Sequence, residues 1–245
     1  MANTFKKKMK KFGRYIWDLF KDSLPAGLMY CCAGTILLML TMKESAVEWN
    51  NNSLLWTIVC VVGGAGYNAL MAWANGGVHY EMLVSGNMKR MSAEQFEGGY
   101  KISSHKEAKE YRAWKGFVIG AFIAILPIFF GIFCGLNQAA IDAADMKQGV
   151  AIMLLLSFIL SGWSVIPFYL MNASGIAVSY YWSCLFALIP VVVMGAFYIV
   201  GAYAKRAKRL REQDIAQKQQ AAEENRVRKI NYGGLPGTKP KKRKK

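Results

Sequence analysis

The clearest feature of this sequence is a long stretch without charge. Residues 148–204 contain no Asp, Glu, Lys, Arg or His. An element of a soluble domain carries charge on the face that meets water, so an uncharged run of this length indicates hydrocarbon surroundings. At a rise of about 1.5 Å per helical residue, the run could cross a hydrocarbon layer of about 30 Å twice. The sequence therefore predicts an all-α, polytopic membrane protein.

The residues of metal and catalytic sites are also scarce. The five cysteines lie in apolar stretches without a CxxC pair, and the two histidines, His79 and His105, have no second ligand at helical spacing. There is no P-loop, dinucleotide-binding glycine motif, GxSxG or HExxH. We therefore expect no metal, no cofactor and no enzymatic activity, and we expect both histidines to be solvated. An enzyme that uses His79, Glu81 or His105 at the membrane face remains an alternative.

Apolar segments alternate with polar ones along the chain. The apolar segments are 25–42, 54–75, 116–137, 150–172 and 180–204, and none contains a charged residue. Ion-coupled carriers and intramembrane hydrolases usually need ionisable groups at depth. This absence argues against proton-coupled transport and against catalysis within the membrane.

The formal net charge of +16 is confined to the ends of the chain, because residues 25–204 are neutral overall. We divide the chain accordingly into a basic amphipathic N-terminal segment, a helical hairpin of two spans, a cytosolic polar insert, a group of apolar membrane segments and a basic C-terminal tail. Their bounds are 1–24, 25–75, 76–115, 116–204 and 205–245. From His105 onward the insert is expected to continue as one helix into the third span.

The number of crossings is constrained by these charges. The positive-inside rule places both basic termini and the insert in the cytosol, but five full spans would put the termini on opposite sides. We therefore predict four full spans, with 150–172 as a broken or re-entrant segment divided at Gly162 and Pro167. The alternative is five full spans with one basic terminus outside.

Small and polar residues within the apolar segments mark candidate contacts. They either pack helices tightly or bring a ligand close to the backbone, and GxxxG spacing adds dimerisation as a third use. Broken helices in membrane proteins often carry binding sites. The candidates for helix packing or a ligand site are Gly63, Gly64, Gly66, Asn68, Gly116, Gly120, Gly131, Gly135, Gly162, Pro167 and Asn172.

The basic ends are candidates for contact with anionic lipid, RNA or the ribosome, in a salt-dependent manner. The residues concerned are Lys6, Lys7, Lys8, Lys205, Arg206, Lys208, Arg209, Lys241, Lys242, Arg243, Lys244 and Lys245. A solvated tail without a partner is the alternative. From residue 230 the composition is that of a disordered segment.

Two short stretches carry a resemblance. GNMKR at 86–90, followed by YRAWKGFVIG and a proline-containing span at 111–127, resembles uncharacterised small multi-pass membrane proteins of Gram-positive, clostridial-type bacteria. The resemblance implies a bacterial plasma membrane and assigns no activity and no functional residue.

Two functions follow from these observations. The first is a non-enzymatic interaction or assembly protein, with basic cytosolic tails and a helical body that packs with itself or with a membrane partner. The second is a small-solute transporter or channel subunit, with a site where the broken segment near Gly162, Pro167 and Asn172 faces residues 63–68.

Overall fold

The structure is a computed structural model that describes residues 2–41, 49–95, 109–143 and 145–232. Side chains of residues 2–8, 11, 89–95 and 228–232 lie outside the described part. These ranges contain helices and no strand. The helices are α1 (Ala2–Thr41), α2 (Asn51–Gln95), α3 (Lys115–Leu136), α4 (Gln138–Asp142), α5 (Gln148–Ala173), a 3-10 helix (Tyr180–Trp182), α6 (Ser183–Phe186) and α7 (Leu188–Tyr232).

Within the described ranges, five helical stretches are long and apolar enough to cross a membrane. They are Phe12–Thr41, Asn51–Met88, Lys115–Leu136, Gln148–Ala173 and Tyr180–Val227. The prediction of an all-α, polytopic helical membrane protein is therefore confirmed.

The helices extend beyond the apolar segments. α1 runs through the boundary drawn between residues 24 and 25, so that Pro25 lies inside it, and α2 continues past Asn75. Backbone hydrogen bonds within a helix do not depend on side-chain polarity, so a helix need not end where hydrophobicity falls. Leu19 and Ala26, on the two sides of that boundary, are buried in the same core.

The expected helix leading into the third span is wrong for the part that the structure describes. Residues 109–114 form turns and irregular backbone, and α3 begins only at Lys115. The backbone here finds partners outside a helix. The amide of Tyr111 donates to the carbonyl of His79 at 3.0 Å, and the Lys115 ammonium donates to the carbonyl of Glu110.

The helix α5 folds back on itself. Ser161 has non-helical backbone angles, with φ of −142° and ψ of 15°. The rings of Phe158 and Tyr169 lie 5.0 Å apart. In a straight helix eleven residues would span about 16 Å along the axis. The segment therefore forms a helical hairpin with an outgoing arm, an apex at residues 161–163 and a returning arm.

Both arms of this hairpin meet the same end of the bundle. Gln138 begins α4, between α3 and α5, and its side-chain amide donates to the carbonyl of Val178, beyond the end of α5, at 3.1 Å. Beyond its end, Ser174 Oγ accepts a hydrogen bond from the amide of Trp49, which precedes α2. We call this the loop end of the bundle. α5 is thus re-entrant, as the first of the two topologies predicted.

The other long helices run the length of the bundle. Asp22 and Tyr30 of α1 meet His79 and Gly64 of α2, so these two helices are antiparallel. The N-terminal part of α1 also lies beside the start of α3, where the rings of Tyr15 and Trp114 are 5.7 Å apart.

The first part of α7 runs antiparallel to α3. Gly131 of α3 lies against Ser183, which precedes α7, and Gly116 lies against Tyr198. Tyr198 is therefore at the end of the bundle opposite the loop end. We call this the charged end, after the cluster described below.

The chain divides into two compact units, Met1–Ala202 and Tyr203–Lys245. The first contains the bundle. The described part of the second is helical to Tyr232, and nearly all of its side chains up to residue 227 are exposed.

Candidate functional site

Charged side chains meet inside the bundle at the charged end. Asp22 of α1, His79 of α2, Lys115 of α3 and Tyr198 of α7 form what we call the charged cluster. His79 Nδ1 lies 2.8 Å from the Tyr198 hydroxyl, and His79 Nε2 lies 3.7 Å from Asp22 Oδ2. Each of these four residues comes from a different helix, so the cluster links all the helices that run the length of the bundle.

Aromatic rings cover the His79, Lys115 and Tyr198 part of the cluster, while the Asp22 side chain is 27% exposed. Lys115 is fully buried, and its ammonium lies 5.1 Å from the centre of the Tyr15 ring. The ring of Tyr111 stacks on that of Tyr198, with centroids 5.4 Å apart. His79 and Lys115 both have protein partners, so this arrangement has the character of a structural link rather than of an exposed catalytic site.

The expectation that His79 is solvated is wrong, since only 5% of its surface is exposed. The spacing of residues along α2 could have predicted that His79 is buried. Asn68, Ala72, Gly76 and His79 recur at helical spacing on one face of α2, and all four are buried. The second span was ended at residue 75, so the last two members of the pattern were assigned to the insert. The same expectation for His105 falls on a residue outside the described ranges.

A second group of polar side chains lies at the apex of the α5 hairpin. Tyr30 of α1, Asn68 of α2 and Trp163 of α5 form what we call the apex cluster. The rings of Tyr30 and Trp163 are stacked, with centroids 4.3 Å apart and planes 25° apart. Exposure is 2% for Tyr30 and 0% for both Asn68 and Trp163.

Two glycine contacts make this apex possible. A Cβ added to Gly64 would lie 2.5 Å from the Tyr30 ring, and one added to Gly34 would lie 2.9 Å from the backbone nitrogen of Gly162. The α1 backbone can therefore approach the α5 apex directly. This close approach brings the indole of Trp163 against the phenol of Tyr30.

The polar atoms of the apex cluster are buried without partners. Tyr30 Oη, Asn68 Oδ1 and Nδ2, and Trp163 Nε1 make no hydrogen bond with any residue that the structure describes. The Tyr30 hydroxyl is close to the Asn68 amide, but the two do not adopt hydrogen-bond geometry. A buried polar group without a partner costs about 1–3 kcal/mol. Groups in this state are available to a bound molecule that donates and accepts hydrogen bonds.

A third group lies at the loop end, beside the returning arm of α5. Asn172, Tyr180 and Ser183 form what we call the mouth cluster. Asn172 Oδ1 accepts a hydrogen bond from the amide of Val178 at 2.7 Å. Asn172 Nδ2, Tyr180 Oη and Ser183 Oγ do not adopt hydrogen-bond geometry with any described residue. The Tyr180 hydroxyl is close to the Asn172 side chain, and the Ser183 hydroxyl is close to the Cys184 thiol. Tyr180 and Ser183 are fully buried.

The fold brings together only some of the candidate helix-packing or ligand-site residues on α2 and α5. Asn68 and Gly64 face the apex, and Gly162 forms it. Gly63 and Gly66 lie on the exposed face of α2, where a Cβ would meet no described atom within 4 Å. A helix turns adjacent residues to different sides, which accounts for this separation.

The two other candidates lie on the returning arm of the hairpin. Pro167 is buried within it, and Asn172 belongs to the mouth cluster rather than to a site opposite Asn68. The fold-back, which separates the apex from the end of α5, accounts for this difference.

The two GxxxG pairs of α3 pack within the chain. Added Cβ atoms would lie 2.6 Å from the Tyr198 side chain at Gly116 and 2.6 Å from Val191 Cα at Gly120. At Gly131 and Gly135 they would meet Ser183 and Tyr181. These glycines therefore form a groove that holds the C-terminal membrane segment.

The basic candidates that the structure describes lie in the second unit. Residues 205–211 are helical and largely exposed in the second unit. The side chains of Lys6, Lys7 and Lys8, and residues 241–245, lie outside the described part of the chain. Within that part, no group of three His, Cys, Asp or Glu residues could hold a metal ion.

The chain was compared with known proteins in three ways. It matches no protein-family model, and no curated protein and no solved structure is significantly similar to it.

Proposed function

We propose that this integral membrane protein is a transport component that binds a small polar solute at the apex cluster. One observation carries the proposal. The fold-back of α5 stacks Trp163 on Tyr30, whose hydroxyl lies close to Asn68, and the polar atoms of all three are buried without a hydrogen bond to any described residue. The charged cluster, by contrast, already has partners for His79 and Lys115.

The architecture supports this use of the site. Irregular backbone within a membrane is tolerated where protein buries it or where it lines a cavity, and discontinuous helices often supply the binding groups of transporters. The break at Ser161 lies inside the bundle, next to α1. The proposal assigns no catalytic step to the protein.

The test is solute flux into liposomes that contain the purified protein, measured by light scattering with a panel of uncharged and charged small solutes. We expect at least one solute to enter faster than into empty liposomes. Asn68→Leu should abolish that excess, because it removes the amide while approximately keeping the volume. Asn52→Leu, on the exposed face of the same helix, is the matched control and should leave it unchanged. Flux equal to that of empty liposomes for every solute would refute the proposal.

A second candidate function is contact with a phosphate-bearing partner through the basic tail. The observation in its favour is the run of Lys205, Arg206, Lys208, Arg209 and Arg211 on an exposed helical segment. Anionic lipid, RNA and the ribosome share the chemistry that such a segment attracts.

Recovery of these three partners with the full-length protein at low and high salt tests this candidate. We expect the partner to be lost at high salt, and lost at low salt when the five basic residues are changed to Gln. Equal recovery by the two proteins would exclude this role for the tail.

We place the protein in the plasma membrane of a bacterium, with both termini in the cytosol. The supporting observations are the basic composition of both ends and the fold-back of α5, which returns the chain to the loop end. A second copy of the chain or another membrane protein is a further candidate partner for its lipid-facing surface.

A further inference from the structure

We infer that the mouth cluster is the access site through which an uncharged, hydrogen-bonding solute reaches the apex cluster. This inference rests on the proposed function and adds to it a route and a chemical class. Its starting point is the mouth cluster itself, where Tyr180 and Ser183 are fully buried and their hydroxyls bond no described residue. Like the polar atoms of the apex cluster, these two hydroxyls are buried and could bond a solute.

Small polar side chains connect the two clusters. Ser183 Oγ lies next to Gly131 of α3, and one turn further along the same helix Cys134 Sγ lies 3.9 Å from Ser157 Oγ of α5. Ser161 follows Ser157 by one helical turn, and its hydroxyl lies 3.3 Å from that of Ser164 at the apex. All three serines of α5 are fully buried. The outgoing arm thus carries a line of hydroxyls from the loop end to Trp163.

The route ends at the apex. Between the apex cluster and the charged cluster the core consists of apolar side chains, among them Ile119, Ile123 and Met194, all at most 6% exposed. The line of serines on α5 approaches the apex from the loop end, so the proposed route opens to that side of the bundle.

The lining chemistry selects against charge. The side chains named along the route are hydroxyls, an amide, a thiol and an indole, and none of these groups carries a charge at neutral pH. The carboxylate of Asp142 lies at the loop end, where it is exposed. An ion that entered would lose its hydration without meeting a counter-charge from these side chains. An uncharged molecule with donors and acceptors would instead supply the partners that the apex and mouth clusters lack.

Reactivity of introduced cysteines tests the inference in liposomes containing the full-length protein. The background carries Ala at Cys31, Cys32, Cys60 and Cys184. It retains Cys134, which lies on the proposed route, and the modification rate of Cys134 in this background is measured first and subtracted.

Cysteine is then introduced at Ser183, Ser157 and Asn68, and at the control position Leu170, which is 1% exposed on the apolar side of the returning arm. Replacement of Ser by Cys changes one atom, so folding should be preserved.

The reagents are the uncharged methyl methanethiosulfonate and its anionic sulfonatoethyl analogue. We expect the uncharged reagent to modify the three route positions at least about tenfold faster than Leu170→Cys. The anionic reagent should modify Ser157→Cys and Asn68→Cys no faster than the control.

The outcomes separate the two proposals. If Asn68→Cys reacts faster than the control but Ser183→Cys and Ser157→Cys do not, the route is wrong and the apex site stands. If all three react at the control rate, both the route and the apex site are wrong. If the anionic reagent matches the uncharged one at Ser157→Cys, the assignment to uncharged solutes is wrong.

Discussion

At the scale of single residues, the bundle depends on glycines that admit another backbone or ring. Gly34 is the sharpest case, because its would-be Cβ meets backbone atoms of Gly162 and Phe158, which cannot rotate away as a side chain can. Gly27, two turns earlier on the same helix, has no described atom within 4 Å of that position. These two glycines form a matched pair for mutation.

We expect Gly34→Ala to destabilise the protein by about 1–3 kcal/mol, the usual cost of overpacking. Gly27→Ala should be neutral or slightly stabilising, because alanine favours a helix over glycine. Thermal unfolding of both variants in detergent measures the difference. Equal stability of the two would mean that α1 and the α5 apex are not in close contact.

A second expectation at this scale concerns the charged cluster. Tyr198→Phe removes the hydroxyl that bonds His79, so we expect a loss of about 1–3 kcal/mol. Tyr181→Phe, at an exposed tyrosine, should cost little. In a double-mutant cycle with His79→Phe, the two losses should be less than additive, since each removes the same hydrogen bond. Additive losses would contradict the contact.

The sequence showed some of the site residues and missed others for a physical reason. Asn68 stood out because an amide in an apolar run needs a partner. Tyr30 and Trp163 did not, because an aromatic residue in an apolar segment ordinarily serves only to pack helices. The packing of α1 on α2 brings the Tyr30 hydroxyl close to Asn68, and the fold-back of α5 stacks Trp163 on Tyr30. Tyr198 was missed in the same way.

At the scale of elements, the break in α5 was foreseen and its form was not. Gly162 and Pro167 together with the charge of the termini indicated a broken or re-entrant segment. The contact of Gly162 with Gly34, which holds the apex within the bundle, joins residues far apart in the chain and has no local signature. The ends of α1 and α2 were misjudged because helical hydrogen bonding continues beyond the apolar residues.

The fold-back of α5 predicts that both ends of this helix lie on the same side of the membrane. Cysteines at Asp145 and Ile176, before and after α5, should react with a membrane-impermeant thiol reagent from the same side of the membrane. A cysteine at Ala113, at the charged end, should react from the opposite side. The side chains of these three residues are exposed. Labelling of Asp145→Cys and Ile176→Cys from opposite sides would restore five full spans.

At the scale of the whole molecule, the chain consists of a packed bundle and a separate basic helical unit. In the sequence, the charge excess and the apolar segments do not overlap. The two ends of the bundle differ in the side chains that they bury. The charged cluster lies at one end, and the uncharged mouth cluster lies at the other.

Because the basic residues of the second unit belong to a separate compact unit, we expect the stability of the bundle not to depend on their charge. We expect replacement of Lys205, Arg206, Lys208, Arg209 and Arg211 by Gln to change the unfolding free energy of the bundle by less than about 0.5 kcal/mol, the range of exposed substitutions. Thermal unfolding in detergent at two salt concentrations measures it. A larger change would mean that the basic residues support the bundle.

The re-entrant form of α5 has a consequence for synthesis. Its apex carries serines and an indole that lipid cannot satisfy, so α5 is stable in the membrane only against helices made before it. α1, α2 and α3 precede it in the chain, but the segment that covers the glycine groove of α3 is made last. A ribosome that stalls before residue 183 would therefore leave the glycine groove of α3 uncovered and His79 without the Tyr198 hydroxyl that it contacts in the finished bundle.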